Sequence, residues 1–497
     1  MNTDSQNAKL SNSECLTTAD CPSEPLAIIV VGGSGDLARK KIYPALFALF
    51  CQDRLAKDFI VVGFARSEYT EDAFRELVSE NLTCRYTPDK HSCARQMKDF
   101  LSRCHYHQGA YGDTDAYLNL FEHLRDAGGF HVANKLFYMA IPPSVFEETA
   151  TALGASGLIP CCDKPHWARV VIEKPFGRDR ESSDTLMQAL GHVFVERQAY
   201  RIDHYLGKEV VQNVITLRFA NQIFEPLWSH AVIESVDIIW KENIGTHGRG
   251  GYFDTFGIIR DVIQNHLLQI LALVAMEEPV KLNAKAIRDA KVAVLKAVKP
   301  ATLDNTTLGQ YVAGTHADGS SEPGYLDDPT VPDDSRTATF AAVRLAIDNP
   351  RWRGVPFRIV AGKGAAERKT EVRIRFKREK SNLFCSNGAC HPANELTIRI
   401  QPSEGVHFTI INKVPGEKAR WVTTDLDLSY SRAFSNKEIP EAYESLLLDV
   451  VNGEKERFIR DDELAAAWDI FTPLLHEIDE KQVIPEPYPF GDESIFS

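Results

Sequence analysis

Between Arg201 and Glu209 the chain reads Arg-Ile-Asp-His-Tyr-Leu-Gly-Lys-Glu, which gathers Asp203, His204, Tyr205 and Lys208 within six residues. A histidine paired with a carboxylate is the arrangement of general-base chemistry, because the acid holds the imidazole tautomer and steadies its charge. Histidine, tyrosine and lysine together supply the donors and positive charge that a phosphate dianion needs. Such mixtures also occur on solvated helix faces, but this one falls near residue 200, where a boundary between folding units should open a cleft. A second histidine, His266, lies in an apolar stripe with Ile259, Val262, Ile263, Leu267 and Ile270, which an ideal α-helix puts on one face. On its own such a histidine is usually a hydrogen-bonded core residue. On the same wheel Asp261 falls on the opposite side.

The elements that must position these groups begin with Leu26–Val31, a continuous apolar run that suits a strand buried on both faces of a parallel sheet. Gly32-Gly33-Ser34-Gly35-Asp36-Leu37-Ala38 follows it, then a helical pattern to Phe50, then a second buried strand at Phe59–Gly63. In this setting Gly32 permits a tight turn, Gly35 lets the backbone approach a pyrophosphate, and Ala38 lets the helix pack close to the strand. The helix start offers free N–H groups to phosphates. The second strand ends in Gly63-Phe-Ala-Arg66-Ser67, without the acid that binds the ribose 2′-hydroxyl of NAD. Arg66 can pair with a 2′-phosphate instead, so NADP is the expected coenzyme. Strands at 135–140 and 168–172 both end in proline-containing text, and Lys174-Pro175 is a candidate cis bond.

Composition bounds the rest. The 497 residues are 44% hydrophobic and 25% charged, ordinary for a globular protein of two or three domains, with a net charge of −13. An acidic whole argues against general nucleic-acid binding. Ten irregularly spaced cysteines do not make a disulfide scaffold, and Cys385 and Cys390 lack the second pair a zinc site would need, so no metal is expected. Residues 1–25 read as a flexible, acid-containing tail, Leu267–Met276 is too short to span a membrane, and the expected location is cytoplasmic with reduced thiols. Cys15 and Cys21 read as incidental exposed thiols, with a redox pair as the alternative.

Four stretches resemble the glucose-6-phosphate dehydrogenase family in order along the chain: Gly32–Ala38, Glu173-Lys-Pro-Phe-Gly177, Arg201–Glu209, and Gly248-Arg-Gly-Gly-Tyr-Phe-Asp-Thr-Phe-Gly-Ile-Ile-Arg-Asp261. The resemblance implies oxidation of glucose 6-phosphate to 6-phosphogluconolactone with hydride transfer to NADP, the first step of the oxidative pentose phosphate pathway. It implies His266 as general base with Asp203 orienting it, and Lys174, His204, Tyr205, Lys208, Glu242, Asp261, Lys363 and Gln401 as contacts to the sugar phosphate. Lys363 is expected to help at the phosphate. Gly32, Gly33, Ser34, Gly35, Asp36, Leu37, Arg66 and Lys174 form the expected coenzyme set. A homodimer or homotetramer is the expected assembly. A related sugar-phosphate dehydrogenase and an NADP-binding sensor without catalysis are the alternatives.

The fold expected is α/β plus α+β. After the tail, residues 26–200 form a Rossmann-type doubly wound NADP domain and 201–497 a larger domain on a mainly antiparallel sheet with helices on one face. Alternating strands are expected at 214–219, 232–240, 371–377, 395–400 and 406–411, with helices at 254–277, 284–298 and 437–452 covering the sheet, and a long loop from His316 to Ser335. Residues 351–380 carry eleven Lys or Arg against three acids. Some members of the family bind a second, structural NADP at such a cluster, and Arg368, Lys369, Arg373 and Arg399 fit that pattern. Val360 stands where those members tend to have arginine, and the chain ends soon after Pro487–Gly491 without their longer basic, aromatic tail, which argues against that second site.

Overall fold

The computed structural model describes residues 24–87, 89–160, 165–316, 319–378, 391–416 and 420–496. Cys15, Cys21, Cys385 and Cys390 lie outside them. The amino-terminal sheet is six parallel strands in the order β3-β2-β1-β4-β5-β6: β1 Leu26–Val31, β2 Phe59–Ala65, β3 Cys104–Gln108, β4 Asn134–Met139, β5 Ala168–Ile172 and β6 Ala199–Arg201. Every residue of β1, β2 and β4 is buried, the reason their apolar runs do not alternate. Strand order reverses between β1 and β4, so a crevice opens beyond their carboxyl ends.

The second sheet has nine strands in the order β16-β15-β14-β13-β7-β12-β11-β8-β17, with a two-residue ribbon, β9 Gly314–Thr315 and β10 Ser321–Glu322, outside it. Its members are β7 Ile233–Lys241, β8 Thr306–Val312, β11 Phe340–Ala346, β12 Pro356–Gly362, β13 Lys369–Phe376, β14 Glu395–Gln401, β15 Gly405–Lys413, β16 Trp421–Ser429 and β17 Glu486–Pro489. The β7–β12 and β8–β17 pairs are parallel and the rest antiparallel.

Two expectations need correction. Residues 214–219 are not a strand but part of the helix Glu209–Phe219. Val210, Val211, Val214 and Arg218 are its buried residues, a helical spacing that the β-branched content hid. Arg218 is recruited because the helix Leu268–Ala275, buried at every residue, ends inside the protein. Its orphan carbonyls need donors. The Arg218 guanidinium gives hydrogen bonds to Leu273 O and Met276 O at 2.8 and 2.7 Å, and the Trp228 and Trp352 indoles to Val274 O and Ala275 O at 2.8 and 2.7 Å.

The second correction concerns helix Ala442–Asn452, expected on the antiparallel sheet. It packs instead on helix Tyr43–Cys51 and the turn at His204, and Leu446, Leu447, Val450, Val451 and Phe458 complete the core around β1 and β2. The Rossmann unit therefore draws part of its core from beyond residue 200. Cys84 and Cys93 lie side by side with their Cα atoms 5.9 Å apart, while Cys51 is partly buried and Cys104 buried. The helical run Gly250–Ala275 is also long and apolar enough to span a membrane, but 89% of its apolar window is buried inside the protein as a core helix.

Candidate active site

Asp203 caps the short turn His204–Gly207, where its Oδ1 accepts the Tyr205 N–H at 2.9 Å. That capping role holds the carboxylate against His266, whose Nδ1 lies 2.6 Å from the same oxygen. Both side chains are almost fully buried. With Nδ1–H donated to Asp203, Nε2 remains as the free base. Burial pushes the His266 imidazole below the ordinary histidine value, and Asp203 pulls it back only in part. Asp203 stays below the usual carboxylate range, because His266 and His204 outweigh the burial that opposes its charge. A neutral imidazole beside a charged acid is a base ready at neutral pH. Asp203, His204 and His266 could each offer an atom within a 4.8 Å cluster to a metal, but the close Nδ1–Oδ1 bond already commits two of them to each other.

The helix wheel misplaces Asp261. Residues Ile259–Leu267 form a π-helix, entered through Gly257 in a non-helical conformation (φ 67°, ψ 171°). Its i→i+5 bonds place roughly one more residue in each turn, so residues five apart return toward the same face. Asp261 and His266 accordingly line one cavity of about 840 Å³. Lys174 enters from the end of β5 and donates to Asp261 O and Oδ1 at 2.7 and 2.9 Å. Lys174 keeps the Asp261 carboxyl charged and below its ordinary range despite burial. The peptide bond Lys174–Pro175 is cis.

The cavity has a cationic end. Lys208 donates to Gln401 Oε1 at 3.1 Å, and Lys41 and Arg368 share its wall. Burial lowers the Lys208 ammonium, with Arg368 and Lys41 adding repulsion, so the cluster favours an anion among them. The Trp240 indole donates to Tyr205 OH at 2.7 Å, and the Tyr205 ring stacks on His266 at 4.6 Å, which joins the cationic end to the base. Lys363 pairs with Glu242 at 2.6 Å on another wall, among the acids rather than with Lys208. All eight residues expected to contact a sugar phosphate line this one cavity: Lys174, His204, Tyr205, Lys208, Glu242, Asp261, Lys363 and Gln401.

Sequence reading missed Lys41, Arg368 as a cavity residue, and Tyr443. Tyr443 lies face to face with His204 at 6.0 Å and donates to Glu173 at 3.3 Å. Glu173 also accepts from Tyr138 at 2.5 Å, and burial pushes it up to about 7. Of the cationic cluster expected at a second nucleotide, Arg373 and Arg399 are both tied to the buried Glu371, Lys369 pairs with Glu367, and Arg368 faces the cavity instead. Lys41 follows the glycine-rich turn and gave no signal as part of a distant cavity.

The expected coenzyme residues lie along the carboxyl edge of the first sheet. Gly32 turns at φ +86°, and a Cβ there would stand 2.3 Å from Ala140 O. A Cβ on Gly33 would meet Gly63 Cα at 2.6 Å, so this glycine lets the turn press on β2. Gly35 has only Gly32 O at 3.1 Å and Ala140 O at 4.0 Å near its Cβ position, which leaves a shallow backbone cradle at the helix start. Such a cradle fits a pyrophosphate. Ser34 and Leu37 flank it; Asp36 points outward and pairs with Lys40 at 3.0 Å. Arg66 directly follows β2, exposed, with its guanidinium 5.2 Å from the Tyr111 ring, and no ion pair holds it among the described residues. Lys174 stands between this crevice and the cavity.

A doubly wound nucleotide crevice that opens on a buried acid–histidine dyad and a cationic pocket defines a nicotinamide-dependent dehydrogenase of an anionic hydroxyl substrate. Two family models divide the chain: the glucose-6-phosphate dehydrogenase NAD binding domain matches residues 29–213, and the C-terminal domain of the same enzyme matches residues 215–494. The chain belongs to the glucose-6-phosphate dehydrogenase family. It is 49% identical over 471 residues to glucose-6-phosphate 1-dehydrogenase 1, chloroplastic, of Arabidopsis thaliana, covering 94% of this chain and 80% of that one. It is 48% identical to glucose-6-phosphate 1-dehydrogenase of Dictyostelium discoideum, covering 94% and 91%. A solved structure of glucose-6-phosphate dehydrogenase in complex with its substrate glucose-6-phosphate superposes with a TM-score of 0.88 at 41% identity, over 95% of this chain and 96% of that one.

Proposed function

We propose that this chain oxidises glucose 6-phosphate at C1 to 6-phosphogluconolactone with NADP as acceptor, in the cytoplasm. The observation that carries the reading is the His266–Asp203 dyad, 2.6 Å apart, in the same cavity as Lys208 and Arg368. His266 Nε2 takes the proton of the anomeric hydroxyl, and Asp203 steadies the imidazolium that forms. Lys208, Arg368 and Lys41 hold the phosphate, with His204 and Tyr205 beside them. Glu242, Asp261 and their lysine partners accept and donate to sugar hydroxyls, which sets the anomeric carbon in the direction of Lys174 and the crevice. NADP, when bound, supplies the nicotinamide ring that receives the hydride. Arg66 selects its 2′-phosphate and the Gly35 cradle its pyrophosphate.

The test is NADPH formation by the purified protein with NADP or NAD and a panel of hexoses and hexose phosphates; subcellular fractions assayed the same way check the location. Glucose 6-phosphate with NADP should give the highest kcat/KM. Equal use of unphosphorylated glucose would contradict the role of the cationic end, and no turnover of any sugar phosphate would leave only a nucleotide-binding protein.

We also infer a homo-oligomer. The end strand β16 presents Val422, Leu426 and Leu428 at 37, 58 and 43% exposure, on alternate positions of one face. An exposed apolar strand at a sheet edge favours a second copy as its cover.

A further inference from the structure

The carboxy-terminal segment approaches the substrate cavity from behind. β17 adds in parallel to β8, with Glu486 opposite Gly309 and Pro489 opposite Val312. Its two prolines are tolerated because the strand is at the sheet edge. Residues 490–496 then cross the turn 363–366 between β12 and β13. That turn carries Lys363 into the cavity.

Three separate contacts clasp the turn from its outer side. The buried Tyr488 hydroxyl donates to Lys363 O at 2.7 Å and meets Thr339 Oγ1 at 3.0 Å. Gly491 N–H donates to Gly364 O at 2.7 Å. Glu493 accepts the Ala366 N–H at 2.9 Å with one oxygen and pairs with Lys241 through the other. Gly364 has φ +66°, and a Cβ there would come within 3.0 Å of the Phe490 ring, so the segment lies in close contact with the turn.

The inner side of the turn belongs to the site. Lys363 N–H donates to Thr339 O at 3.0 Å, Ala365 N–H to Glu242 O at 2.9 Å, and Glu242 N–H to Gly362 O at 2.9 Å. The Lys363 ammonium reaches the Glu242 carboxylate inside the cavity. Lys241, held by Glu493, immediately precedes Glu242. The segment therefore grips the backbone of Lys363 and its turn directly, and approaches Glu242 through the side chain of the preceding Lys241 and through Ala365 of the turn, without reaching the cavity itself.

We propose that residues 486–496 are a positioning strap that fixes the Lys363–Glu242 pair and so sets the affinity for the phosphorylated sugar. Tyr488 and Glu493 are its positioning residues. A flexible lysine loses much rotamer freedom when it binds, and a backbone fixed beforehand lowers that cost. The inference rests on the cavity being the glucose 6-phosphate site proposed above.

The experiment compares Tyr488→Phe, Glu493→Gln and the double variant with the parent full-length enzyme, reading KM for glucose 6-phosphate, KM for NADP, kcat and thermal midpoint. Loss of a buried hydrogen bond should raise the sugar-phosphate KM roughly tenfold in the double variant. KM for NADP and kcat should stay within about twofold, because the dyad and the Gly35 turn do not touch the strap. A merely structural role would lower the midpoint and the active fraction with both KM values unchanged, and that result overturns the proposal. If Tyr488→Phe fails to fold, the half-exposed Glu493→Gln decides alone by the same KM comparison. A parent enzyme inactive on glucose 6-phosphate would instead fault the functional reading, which keeps the two failures distinct.

Discussion

His266 illustrates how little a residue's type says before its neighbours are known. Its apolar stripe reads as core, and it is buried, but Asp203 reaches it from a turn more than sixty positions earlier in the chain, closing a 2.6 Å bond. The acid's type is legible in the sequence; its pairing across that separation is legible only through resemblance, and the turn it caps is seen only in the structure. The electrostatics give the pair a testable signature. Burial lowers the imidazole, Asp203 raises it, and the net result lies below the ordinary histidine value. The base is therefore charged and idle only at low pH, so the acidic limb of kcat/KM should fall below the ordinary histidine range, about pH 6.5. In Asp203→Asn the raising influence is gone while burial remains, so the limb should move to still lower pH. The plateau should drop by roughly 10⁴-fold, from lost orientation of the imidazole. Substrate ionisation is common to both enzymes, so the difference between the two profiles reports on His266. A variant with parental rate and limb would remove Asp203 from the mechanism.

At the scale of elements, the α-helical wheel fails where the chemistry is. A wheel assumes a constant 100° step, and nothing in Ile259–Leu267 announces a π-helix. The glycine-rich entry is the one visible sign, and Gly257 is where it matters, since φ 67° and ψ 171° belong to a region almost closed to side chains. The kink there aims Asp261 at Lys174 and starts the π segment two residues on. Gly257→Ala should cost about 1–3 kcal/mol of stability, read as a lower urea midpoint. Its Cβ would also meet Thr337 Cγ2 at 3.3 Å, so relief by a local shift would carry Asp261 with it and raise the sugar-phosphate KM. An unchanged midpoint and KM would show that the kink is incidental. The strand expected at 214–219 fails for a related reason: β-branched residues favour strands in isolation. What decides is that a helix there can bury Arg218 against the carbonyls of a helix end that has no water to meet them.

For the whole molecule, the parallel first sheet is readable from its unbroken apolar strands. What composition could not convey is that the chain returns. Leu446, Leu447, Val450 and Val451 close the core beside β1, and the same helix brings Tyr443 to His204, so the Rossmann unit and the active site share one late element. The second sheet ends at β16. In the register of β15 with β16, Phe408 faces Leu426 and Val406 faces Leu428, a continuous apolar row at the last strand of nine. The alternate positions His407, Asp425 and Asp427 are polar, and His407 pairs with Asp427 at 3.0 Å, so one face of this strand pair is solvated and the other asks for a cover. A second copy of the chain is that cover in the proposed oligomer. Lysines introduced on such a row oppose its burial, since desolvating an unpaired ammonium costs more than the apolar contact gains. Leu426→Lys combined with Leu428→Lys should therefore shift the solution mass, measured by light scattering across a dilution series, from that of an oligomer to that of the 55.6 kDa chain. If the parent is already a monomer, or if the double variant keeps the parental mass, this face is not the contact. The exposed row would then be an ordinary solvated edge.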